Sequence, residues 1–114
     1  MGRFATAEDD FEAAFAHVRD FDCDQKKRAR TFRERGIDFD DARHVFAGPI
    51  ITKRSDRDGE VRYMVFGFLA DVEVVYVCTI RGDICWIMSA RRARRDERKK
   101  YHSKLARDAA QDQK

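Results

Sequence analysis

The stretch VEVVYVCTI, residues 72–80, constrains this chain more than any other. It is apolar at almost every position and rich in β-branched side chains. Turn-forming LAD precedes it and RGD follows it. A run this short with this composition reads as a central strand covered on both faces. Its neighbours follow from the short connections. Residues 61–68 and 84–88 read as strands, and the tight turns make them antiparallel to it. A shorter strand at residues 50–53 joins through SDRDGE. The expected sheet is four-stranded and mainly antiparallel.

Before residue 50 the apolar period is helical. Thr6 can cap a first helix, with Asp9 three residues on, and Phe11, Ala14, Phe15 and Val18 share one face. Asp24 caps a second helix, QKKRARTFRER, which stops at Gly36, where a positive φ suits glycine; Ala29 and Phe32 are its apolar anchors. Asp38 caps a third, with Phe39, Ala42, Val45 and Phe46 as the buried stripe and Gly48-Pro49 as its end. After the last strand, Ser89 reads as the cap of a long helix reaching about Ala110. Helices, then a meander, then one long C-terminal helix make an α+β domain. The expected organisation is a helical extension over residues 1–20, a single domain over 21–110 and a disordered tail over 111–114.

A length of 114 residues with 43% hydrophobic content suits one domain with one core. The net charge is only +3, but the signs are unevenly placed. Residues 6–24 are acid-rich and residues 91–107 are basic, which points to an anionic partner at the basic end. No stretch approaches the roughly 18 apolar residues of a membrane span. The opening MGRFATAEDD has no apolar signal segment. A cytoplasmic protein without a membrane partner is expected. Cys23, Cys78 and Cys85 have the spacing of neither a disulfide framework nor a zinc site and read as reduced thiols. His17, His44 and His102 form no metal set, and there is no Gly-rich phosphate loop or nucleophile elbow. Neither metal nor cofactor is expected.

The chemistry concentrates in ICWIMSARRARRDERKKY, residues 84–101. Ala93, Glu97, Tyr101 and Leu105 are four apart and share one helix face. Glu97, with Arg94 and Arg98 beside it, is either an ion-pair anchor or an acid/base or orienting group. Arg91 and Arg92, placed in the first helical turn, oppose the macrodipole; a phosphate there would relieve the conflict. Arg62 shares a strand face with Met64, Phe66 and Phe68 and needs an anionic partner, with Glu73 the internal choice. Arg81 reads as an exposed turn residue. Lys27, among Lys26, Arg28 and Arg30, reads as part of a solvated face, and Arg94, Arg95, Lys99 and Lys100 read as a solvated or RNA-steering face. His44 lies near an apolar stripe and reads as structural. Trp86 reads as core, although an indole on a cationic groove can also stack on a base.

Together these segments resemble the BrnT family of toxins. The family's first pattern runs F-x-W-D-x-x-K, a charged helix, H-G, then F-x-x-A-x-x-V-F and a Pro. Phe21, Asp24, Lys27, Gly36, Phe39, Ala42, Val45, Phe46 and Pro49 fall on it. Ser89, Ala90, Arg91, Ala93, Glu97, Arg98 and Tyr101 fall on its second, and Gly67 fits between them. The resemblance spans residues 21–101. It implies a RelE-like fold and a metal-independent endoribonuclease that inhibits translation, in which a ribose 2′-hydroxyl of mRNA attacks the adjacent phosphate. It implies Arg62, Arg91, Arg92, Glu97 and Tyr101 as catalytic, and Lys27, Arg81 and Arg95 as substrate-binding. It also implies a BrnA-like ribbon-helix-helix antitoxin, a 2:2 heterotetramer, and operator DNA reached through that antitoxin. The chain departs from the pattern at Cys23 (family Trp), Arg35 (His), Thr31 (Asn) and Trp86 (often Arg). Those departures keep a second expectation open: a weak or inactive toxin fold that binds an antitoxin and contributes to autorepression.

Overall fold

A computed structural model describes residues 10–112, so the Thr6–Asp9 cap lies outside the described residues. The sheet has five strands, not four: β1 (Asp20–Cys23), β2 (Ile51–Arg54), β3 (Tyr63–Leu69), β4 (Val72–Arg81) and β5 (Ile84–Arg92). Their spatial order is β1-β5-β4-β3-β2. β2 to β5 are antiparallel as expected, but β1 lies parallel to β5, which makes the sheet mixed. β1 has the sequence DFDC, too short and too acidic to announce a strand. Its acids have a local use: the Asp20 and Asp22 carboxylates accept the Phe21 and Cys23 N–H groups, both at 2.8 Å. Self-satisfied donors of this kind blunt a sheet edge.

β4 is central, and Val74, Val75, Tyr76 and Cys78 are fully buried. The larger correction is at β5. It does not end at Met88 but continues to Arg92, pairing Ser89 with Val77, Arg91 with Val75 and Arg92 with Val74. Ser89 therefore caps nothing. β4 is ten residues long and offers partners along its whole length, and that pairing carries the arginines into the sheet. The register shifts between Val77 and Cys78, so that Met88 is the extra residue of a bulge. The C-terminal helix α4 (Arg95–Asp112) starts later and ends later than the sequence suggests. Its N-terminus is closed by Glu97, whose carboxylate accepts the Arg94 N–H at 2.8 Å, one half of a capping box.

One face of the sheet carries the core. Phe11 from α1 (Phe11–Phe15), Ile37, Phe39, the Ala42, Val45 and Phe46 side chains of α3 (Ala42–Ala47), and Ile50 pack on Tyr63, Val65, Val74, Tyr76, Cys78, Cys85 and Ile87. Phe46 is the hub of an aromatic cluster, edge-on to Phe11, Phe15, Phe21 and Tyr76 at centroid distances of 5.7–5.9 Å. Burial pushes the Tyr76 pKa up, and its hydroxyl donates to the Asp38 carbonyl at 2.9 Å.

The expected third helix opens as a 3-10 turn (Phe39–Asp41) before α3, with Asp38 accepting the Asp40 N–H. His44 is exposed, not on the buried stripe. α2 (Gln25–Arg35) has the expected caps: Asp24 accepts from Lys26 and Lys27, and Gly36 sits at φ 71. It has no buried residue, however, and the anticipated anchors Ala29 and Phe32 are exposed, Phe32 at 58%. Polar contacts tie it down instead. Arg28 forks onto Asp38 at 2.6 and 3.1 Å, and Arg35 donates to the Ala90 carbonyl at 2.8 Å.

Candidate functional site

The opposite sheet face is only partly covered. Cross-strand register orders its side chains into rows. Ile51, Phe66, Val75 and Arg91 form one row; Lys53, Met64, Val77 and Ser89 form the next; Thr79, Trp86 and Asp22 lie beyond. α4 crosses one end of this face and leaves a groove of about 670 Å³ against β2 and β3. Its floor is Ile51, Met64 and Phe66, and its sides carry Lys53, Lys100 and Lys104 with Asp96, Glu97 and Tyr101.

Arg91, on β5, does not line the groove itself but holds Glu97, which does. Its Nη1 and Nη2 donate to the two Glu97 carboxylate oxygens at 2.7 and 2.8 Å. This Arg91 contact, reinforced by the Arg94 N–H, holds the Glu97 carboxyl down at about 2, although burial acts the other way. The same hydrogen bond pushes the Arg91 pKa up. Tyr101 is buried, and its hydroxyl donates to the Pro49 carbonyl at 2.7 Å. Burial, helped by the Glu73 charge, raises its pKa to about 12. Both side chains hold α4 against the sheet. Neither changes charge near neutrality.

The other expected residues are spread out. Because Arg91 and Arg92 are strand residues, they point to opposite faces, Arg91 beside Val75 and Arg92 beside core-facing Val74. That removes the helix-N-terminus argument for them. Arg62 lies just before β3, not within the strand, and pairs with Glu60 at 3.3 Å. Its expected partner Glu73 instead meets His102 at 2.7 Å, a contact that lowers the Glu73 pKa. Arg81 also reaches Glu60, at 3.2 Å, and lies over the Trp86 ring at 5.1 Å. Trp86 is half-buried on the open face and so lies outside the core. Lys27 is exposed on α2, which contributes nothing to the groove, and Arg95 is exposed at the first position of α4.

Sequence reasoning missed Lys53 and Lys104, and it took Lys100 only as part of a solvated or RNA-steering face. Among the described residues these three carry no ion pair. Their signal was available: Asp96, Lys100 and Lys104 are four apart and fall on one helix flank. Among the described residues no three His, Cys, Asp or Glu side chains converge as a metal set. No helix among them is long and apolar enough to cross a membrane.

The α+β domain thus carries a lysine-edged groove whose Glu97 is held by Arg91, a cationic surface of the kind that suits an extended polyanion. Residues 23–97 match the family described as the ribonuclease toxin, BrnT, of type II toxin–antitoxin systems, and the chain belongs to that family. No match was found among curated proteins.

Proposed function

We propose that this chain is a toxin that cleaves single-stranded RNA in the groove between α4 and the open sheet face. The observation that carries this reading is Arg91, locked by the groove-lining Glu97, beside a groove whose three lysines carry no ion pair among the described residues. Glu97 and the Arg92 carbonyl take three of the five guanidinium N–H groups. The rest are left for a phosphate. In the proposed step the ribose 2′-oxygen bonds to the adjacent phosphorus and the bond to the 5′-oxygen breaks. A 2′,3′-cyclic phosphate and a 5′-hydroxyl result, with the proton passing from the 2′-hydroxyl to the leaving oxygen. The RNA supplies its own nucleophile, so the step needs no metal-bound water. Arg91 stabilises charge on the phosphoryl oxygens. Glu97 positions Arg91, and Lys53, Lys100 and Lys104 hold the flanking backbone. On this reading the chain is a RelE-like ribonuclease acting on mRNA in the cytoplasm. The antitoxin implied by the family would be a BrnA-like ribbon-helix-helix protein, in a 2:2 complex that reaches operator DNA.

The test is incubation of the purified chain with a short RNA in the presence of a chelator. Cyclic-phosphate ends are expected, lost in Arg91→Ala and blocked by a 2′-deoxy residue at the scissile position. Cleavage that persists when Arg62, Arg91 and Arg92 are all replaced would refute the assignment.

A second reading has its own support. Glu97 at about 2 and Tyr101 at about 12 leave neither poised for proton transfer near neutrality, and Glu60 is paired with both Arg62 and Arg81. A weakly active toxin fold that acts mainly by binding its antitoxin would look like this. Antitoxin-dependent operator binding without any RNA cleavage would favour it.

A further inference from the structure

The far end of the open face is unused by this mechanism, and it carries the chain's single tryptophan. Trp86 lies in β5 between Thr79 of β4 and Asp22 of β1. It is half-buried on a face that α4 leaves open, where an indole forgoes the burial it normally gains. Arg81 covers part of its π-surface, with the guanidinium carbon 5.1 Å from the ring centroid, and Glu60 holds Arg81 in place at 3.2 Å. The ring is thus braced by a stacked cation that is itself tethered. Arg91 is four residue steps away along β4, from Thr79 to Val75, roughly 13 Å on the same face. That span is a few nucleotides of single strand.

We propose that Trp86, braced by Arg81, is a base-stacking platform of the RNA site, holding one nucleobase a few nucleotides from the phosphate at Arg91. This rests on the ribonuclease reading above. The local charges favour a base over a phosphate at this spot. Asp22 is the cross-strand neighbour of Trp86 and Glu60 neutralises the stacked Arg81; the two carboxylates disfavour a phosphate, whereas a carboxylate can accept from a base N–H. A planar base offers the indole a matching surface that every nucleotide carries.

Because Trp86 is the only indole, its fluorescence reports on this site alone. The wild-type chain is titrated with fluorescently end-labelled 2′-O-methyl hexanucleotides, which cannot be cleaved, following both label anisotropy and tryptophan emission. Saturable quenching that parallels binding is expected, lost when one particular nucleotide is abasic. Trp86→Phe should keep affinity within a few-fold, and Trp86→Leu should lose roughly 10-fold or more. Binding without quenching overturns the platform and leaves the ribonuclease reading standing. No binding and no cleavage overturns both. Quenching by the antitoxin but not by RNA overturns the proposal in favour of a protein contact at Trp86.

Discussion

Arg91, the penultimate residue of β5, and Glu97, in the first turn of α4, are joined by two parallel hydrogen bonds of 2.7 and 2.8 Å. This fork fixes the guanidinium plane as well as its charge. Lysine keeps the charge but cannot reproduce the fork. Arg91→Lys and Glu97→Gln should therefore each lower kcat for RNA cleavage by roughly 10- to 100-fold, with smaller changes in KM. Steady-state cleavage kinetics, with melting curves to verify folding, measure this. Unchanged kcat in both variants would show that the fork serves stability alone.

The same pair makes stability depend on pH. The Glu97 carboxyl titrates at about 2 in the folded chain, against 4.5 for the free group. Between those values the unfolded chain binds the extra proton, so folding weakens as pH falls. The contribution is fully present above about pH 5 and disappears toward pH 2. It is on the order of 2 kcal/mol once partial exposure is discounted. Asp38 and Glu73 are lowered too, and both add to the same acid loss. The difference in urea midpoint between wild type and Glu97→Gln isolates Glu97. It should hold constant from pH 6 to about 5 and then shrink down to pH 3.

The parts of the fold legible in the sequence were those with a strong local signal. The apolar run at residues 72–80 gave the central strand, and Asp24 and Gly36 marked both ends of α2. β1 was illegible because DFDC gains its strand conformation from β5, 64 residues away in sequence, and not from its own composition. The β5–α4 boundary failed for a related reason. Arg91 and Arg92 look like helix residues by composition, but β4 extends far enough to pair with them. The site suffered most from that slip, since it turns two adjacent cations into residues on opposite faces. Glu97 was legible as a carboxylate on an apolar stripe. Its partner was not, because Arg91 reaches it across the strand–helix turn and not along the helix.

The packing role of Gly67, which the sequence pattern marks without explaining, is legible only in three dimensions. The residue lies in β3 beneath α3, and an added methyl would stand 2.6 Å from Val45 Cγ1 and 3.1 Å from Ile50 Cγ2. Gly67→Ala should cost about 1–3 kcal/mol by overpacking. The denaturation midpoint should fall with the m-value unchanged. Adding Val45→Ala should recover part of the loss, a coupling that independent sites would not show.

Phe11 tests whether the N-terminal segment is an extension or part of the domain. It is 1% exposed and packs against Phe15, Phe46 and Tyr63. Phe11→Ala should destabilise the chain by about 3–5 kcal/mol, as expected for an aromatic lost from a core. A detachable arm would give less than about 0.5 kcal/mol. Equilibrium urea denaturation separates the two outcomes cleanly.

The lysines of the groove should declare themselves through salt. Each Lys–phosphate contact with single-stranded RNA adds about 0.7 to the slope of log affinity against log salt. If Lys100 and Lys104 both contact phosphate, the double alanine variant should lose roughly 1.4 of that slope. Lys99 is exposed and does not line the groove, so Lys99→Ala should leave the slope nearly unchanged. Anisotropy titrations with a 2′-O-methyl oligonucleotide, between about 0.05 and 0.3 M salt, distinguish the variants. An equal loss from Lys99 and Lys100 would mean that the RNA senses the net charge of α4. A loss confined to Lys100 and Lys104 would mean that the strand runs through the groove, alongside the Arg91–Glu97 fork.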